Sequence, residues 1–138
     1  MRRSPVFSTL LLVSLAACGS DSESAATPGS SGISASPISG ADLVASDGTI
    51  DLNRYYVADE TNAMLEEWAR LFPELTEVEQ VGTSLLGAPL MLITITNEAT
   101  GPAEEKPALY VDGGLHAAEL TGSSVATHVI AHLLSGYG

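Results

Sequence analysis

The sequence predicts an α/β fold, the first part of a mixed sheet in the order helix, β-hairpin, strand, helix. Three observations carry this. Apolar residues Met64, Leu65, Trp68, Leu71 and Phe72 fall at i, i+1, i+4, i+7 and i+8, the spacing of one helix face. Two alternating runs, 76–84 and 88–96, are joined by Leu85-Leu86-Gly87, the form of a tight hairpin. An apolar run at Leu109-Tyr110-Val111 is followed by Gly113-Gly114, after which the spacing becomes helical.

The chain begins with a targeting pattern. Arg2 and Arg3 precede an apolar stretch from Val6 to Leu15 that is too short to span a bilayer. The run Leu15-Ala16-Ala17-Cys18 then resembles a bacterial lipoprotein signal, with a small residue before the cysteine that takes the lipid. An ordinary secretory signal with a chance cysteine is the alternative. The chain has 1 Cys, at the position such a signal requires, so no intrachain disulfide or thiolate mechanism is available elsewhere. Residues 1–17 are thus expected to be a signal peptide, Cys18 the lipidation site, and the protein a membrane-anchored lipoprotein of a bacterial cell envelope.

Residues 18–50 are rich in Ser, Gly and Ala, with Pro28 and Pro37. Such a composition buries too little apolar surface to offset its ordering entropy. It predicts a flexible tether with a reach of roughly 30 Å, which lets a domain stand off a membrane. Residues 51–138 form the expected domain. Asp59 is placed to cap the first helix, Glu60 suits its first turn, and Pro73 ends it. In the second strand Met91, Ile93 and Ile95 share one side, with Leu90, Leu92, Thr94 and Thr96 on the other. Residues 97–106 make a polar loop. The last helix runs from Glu119 to about Leu134, with Ala126, Val129, Ile130, Leu133 and Leu134 on one face and Gly136 as its stop.

Charge narrows the partners. Asp and Glu number 17 against 5 Lys and Arg, a net charge of −12. No basic footprint for nucleic acid exists. After the signal the cations are Arg54, Arg70 and Lys106 alone.

The chemistry-bearing pair is His116 and Glu119, three apart where a strand turns into a helix. Open α/β sheets keep their chemistry beyond the carboxyl ends of strands. A catalytic zinc takes three protein ligands from His and carboxylates and leaves a fourth position for water. On residues alone two readings stay open. Either the pair binds a metal, or Glu119 merely complements the helix dipole and His116 is a loop residue. His128 and His132 have the i, i+4 spacing of zincin motifs, but Val129 stands where such a motif needs Glu. A semi-exposed polar stripe is the better reading of those two.

From about Tyr55 to Gly138 the chain resembles the first part of a zinc carboxypeptidase of the carboxypeptidase A type. A helix ending in Pro73 precedes Gly82-Thr83-Ser84-Leu85-Leu86-Gly87. A strand then leads to Gly114-Leu115-His116-Ala117-Ala118-Glu119, and Leu133-Leu134-Ser135-Gly136-Tyr137-Gly138 matches the segment after the first active-site helix. The resemblance implies that His116 and Glu119 are the first two ligands of a Zn2+ ion, and that the substrate is the C-terminal residue of a peptide. It also implies a third ligand, substrate-binding Arg residues and a general base downstream of Gly138, so that this chain is an N-terminal fragment. Ala88 and Ala118 stand where many members have Arg, which leaves side-chain preference open. Two other functions fit the same residues. One is a related zinc hydrolase of cell-wall peptides or acyl-amino acids; the other is a non-catalytic, lipid-anchored binding module.

Overall fold

The computed structural model describes residues 37–116 and 118–137. The expected signal peptide, Cys18 and the first part of the expected tether lie outside them.

Helix α1 spans Ala58–Leu71, strands β1 and β2 span Thr76–Thr83 and Pro89–Ile95, and helix α2 spans Leu120–Ser135. Short 3-10 turns occupy Gly40–Asp42, Glu98–Thr100 and Ala103–Glu105. The helix–hairpin–helix order is the one expected. The N-cap of α1 is Val57 rather than Asp59. Its side chain has no acceptor, and Glu60 closes the end instead, with Oε2 accepting from the Val57 N–H at 3.0 Å. Arg54 in turn pairs with Glu60.

β1 and β2 pair antiparallel, from Thr76 opposite Ile95 to Thr83 opposite Pro89. The register shifts between Gln80 and Gly82, so Val81 is an extra residue and is exposed. At the turn the Gly87 N–H reaches the Ser84 carbonyl at 3.0 Å, and Ser84 N–H reaches the Ala88 carbonyl at 2.8 Å. Gly87 has φ +84°, the left-handed step that closes such a three-residue loop.

The core gathers Met64, Leu65 and Trp68 of α1, Ile93 and Ile95 of β2, and Ala126, Ile130, Ala131 and Leu134 of α2. Both helices therefore meet the face of the hairpin that carries Ile93 and Ile95. Thr127 is also buried, and its hydroxyl is satisfied by the Ser124 carbonyl at 2.8 Å.

Two expectations are corrected. Order begins before residue 51. Val44 is 4% exposed and belongs to the core, and it bridges Ile50. The buried Trp68 Nε1–H donates to the Gly48 carbonyl at 2.9 Å. Residues 40–50 dock because a few apolar and hydrogen-bonding groups find partners on α1, which a composition average conceals. The second correction is the third strand. Among the described residues the sheet is two-stranded, and 107–114 runs without a ladder. Leu109 and Tyr110 are exposed, and only Val111 of that run packs against the core. β-forming side chains do not make a strand without a neighbouring edge to pair with.

Candidate metal centre

The segment entering the site is Asp112-Gly113-Gly114-Leu115, and it leans on the first turn of α2. Gly114 has φ +81°, a conformation that L side chains rarely adopt. A Cβ on Gly113 would stand 2.6 Å from the Gly122 carbonyl oxygen and 3.0 Å from Ala126 Cβ. The double glycine is therefore needed for close approach of two backbones. After it the chain makes a turn, with the Glu119 N–H on the His116 carbonyl at 3.0 Å and the Gly122 N–H on the Glu119 carbonyl at 3.0 Å. Glu119 is the N-cap of α2, one residue outside the helix expected to start there.

This turn brings the predicted pair together. His116 Nδ1 lies 2.8 Å from Glu119 Oε1, and Glu119 Oε2 accepts from the His116 N–H at 3.3 Å. The side chains are open to solvent, at 73% and 51% exposure. The hydrogen bond to Glu119 raises the His116 pKa above its usual value, with the carboxylate's charge adding to it. The same bond, with the His116 N–H, lowers that of Glu119.

The donors suit a metal ion. Two ligand atoms on a tetrahedral zinc, each bound at about 2.0–2.1 Å, stand about 3.3 Å apart. Nδ1 and Oε1, 2.8 Å apart, need separate by only a fraction of an ångström. The imidazole must first give up its Nδ1 proton. No group of three or more His, Cys, Asp or Glu that could hold a metal occurs among the described residues. Asp112 is thus not brought in as a third ligand. His128 and His132 lie about 12 and 18 Å along the axis of α2 from its start. His132 is exposed, and His128 Nε2 is buried without a hydrogen-bond partner, beside a cleft of about 340 Å³ between 52–55 and α2.

A family model described as zinc carboxypeptidase matches residues 61–138. The chain belongs to the zinc carboxypeptidase family. Among curated relatives, carboxypeptidase B of Astacus astacus is 36% identical over 62% of this chain and 27% of its own length. Zinc carboxypeptidase A 1 of Drosophila melanogaster is 29% identical over 59% of this chain and 19% of its own. An inactive metallocarboxypeptidase of Saccharomyces cerevisiae is 30% identical over 62% and 20%. The chain thus spans about a quarter or less of the length of these relatives. No solved structure matches significantly.

The contact of Gly113 with Gly122 was not foreseen from sequence. The signal was Gly122 itself, since a glycine inside a helical pattern costs about 1 kcal/mol against alanine and implies a packing reason.

Proposed function

We propose that this zinc carboxypeptidase family member contributes His116 and Glu119 as two zinc ligands of a metallocarboxypeptidase, of which the chain is the N-terminal part. The observation that supports it is the 2.8 Å pair at the mouth of α2. A bound zinc supplies Lewis acidity and lowers the pKa of its water. Glu119 holds His116 in place and accepts its Nδ1–H. Nδ1 would be freed for a metal by loss of that proton from the imidazolium, or by its shift to Nε2 in the neutral ring, so uptake would strengthen as pH rises through the raised His116 value. A third ligand, a general base and a cationic site for the substrate carboxylate are contributed by further polypeptide. The substrate is the C-terminal residue of a peptide. Through a lipid on Cys18 the enzyme sits on the outer side of a bacterial membrane.

The test has two arms. Zinc uptake by the chain, measured against a chromophoric chelator, is weak and lost in His116→Ala and Glu119→Ala. The chain alone releases no C-terminal residues from a peptide pool. Joined to a downstream part carrying the missing groups, it does so in a chelator-sensitive way, and Glu119→Ala abolishes it. Activity surviving Glu119→Ala overturns the ligand assignment. Chelator-sensitive release by the chain alone, lost in His116→Ala, overturns the fragment reading. Zinc retained with no turnover in the joined protein favours the non-catalytic reading, of which one relative's name gives an example.

A further inference from the structure

We propose that Gly113 and Gly122 form a backbone clamp that sets the separation of His116 and Glu119, making both positioning residues. For its functional meaning the proposal rests on the metal reading above.

The contact is reciprocal. A Cβ at Gly113 would meet the Gly122 carbonyl oxygen at 2.6 Å and its carbon at 2.9 Å. A Cβ at Gly122 would meet the Gly114 nitrogen at 3.1 Å. These are backbone atoms, so no side-chain rotation relieves the overlap. His116 and Glu119 lie on the stretch between the touching glycines. Its far end is pinned by the Gly122 N–H on the Glu119 carbonyl at 3.0 Å. The two ligand side chains are themselves 73% and 51% exposed. Packing around the imidazole and the carboxylate therefore does not fix them; their mutual hydrogen bond at 2.8 Å forms only at the separation that the backbone carrying them allows. A methyl group at either glycine spreads the ends of the stretch and moves His116 relative to Glu119.

The two sites predict a graded response. Gly122→Ala needs its neighbour to give by a few tenths of an ångström, whereas Gly113→Ala forces a larger displacement. Gly122→Ala also raises helix propensity in α2. A purely structural role predicts that it leaves the site intact. The clamp predicts a looser site in a helix that is no less stable.

The experiment uses the zinc-free chain, 15N-labelled at histidine, at a pH where the rings are neutral. In the wild type, Glu119 holds the His116 proton on Nδ1. Gly122→Ala shifts the 15N signal part-way towards the Nε2–H tautomer of free histidine, and Gly113→Ala further. Zinc affinity, read with a chromophoric chelator, falls in the same order, by about tenfold to hundredfold, the range for lost outer supports of a ligand. The melting temperature of Gly122→Ala is not below that of the wild type. Wild-type tautomer signals in both variants overturn the clamp. So does a Gly122→Ala that loses the site only together with a lowered melting temperature. If wild type and His116→Ala bind zinc equally, the metal reading fails instead, while the tautomer series still decides the clamp.

Discussion

Val44→Ala decides whether residues 40–50 belong to the folded unit. Val44 is 4% exposed and packs in the cluster that holds Trp68, Ile93 and Ile130. Alanine removes two methyl groups, each worth about 0.8 kcal/mol of transfer energy. The residual cavity brings the loss to about 2 kcal/mol. With about 100 described residues, each kcal/mol moves the melting point by about 4–8 °C, so a fall of about 8–16 °C is expected. Trp68 is the only tryptophan, is 0% exposed and donates to Gly48, so its fluorescence in a urea titration reports this region directly. Ile38→Ala is the control. Ile38 is 46% exposed, and its loss is expected to stay within about 0.5 kcal/mol. If Val44→Ala and Ile38→Ala unfold at the same urea concentration, the docking argument fails and the tether reaches residue 50.

Three further outcomes are expected. The folded pKa of His116 is raised above 6.5 and that of Glu119 is lowered below 4.5. Their pairing therefore stabilises fully between about pH 4.5 and 6.5; it is lost as pH rises through the raised His116 value or falls through the lowered Glu119 value. In an NMR titration Glu119→Gln returns the His116 midpoint towards its ordinary value, and an unmoved midpoint refutes the pairing. Gly87→Ala puts a Cβ on a residue with φ +84° but meets nothing within 4 Å, so strain alone acts and the cost is about 1 kcal/mol by urea unfolding; no loss refutes the left-handed turn. In a bacterium that processes lipoproteins the protein partitions into detergent and Cys18→Ser does not, since stable anchoring needs more than one acyl chain; equal partitioning refutes the anchor.

Elements that carry their own partner were the ones legible in the sequence. The stripe Met64, Leu65 and Trp68 is helical and fully buried, because its period reports a face whatever lies opposite. The hairpin was legible because β1 and β2 are each other's neighbours. His116 and Glu119 are three apart, so one turn suffices to join them. The run at Leu109-Tyr110-Val111 has equally good strand residues, yet a ladder depends on an edge elsewhere, which no local pattern encodes. Docking of Val44 and Gly48 likewise depends on Phe72 and Trp68, twenty or more positions away. Glu60 closes α1 from inside the helix, so the expected cap at Asp59 was displaced by two residues.

Few cations, each differently restrained, give the folded domain an uneven susceptibility to proteases that cut after Lys or Arg. Lys106 donates to the Thr96 hydroxyl at 3.0 Å and the Asn97 carbonyl at 2.6 Å, and Pro107 follows it, so its peptide bond is a poor substrate twice over. Arg70 lies in the last turn of α1, with Nε on Glu67 at 2.9 Å, where the backbone must unwind to enter a protease cleft. Arg54 alone lies in an exposed bend outside regular structure, its guanidinium 4.5 Å above the Tyr56 ring. Native-state digestion among the described residues should therefore stop at one nick, between Arg54 and Tyr55. The released N-terminal piece would stay associated through Val44 and Gly48, detectable only once the sample is denatured.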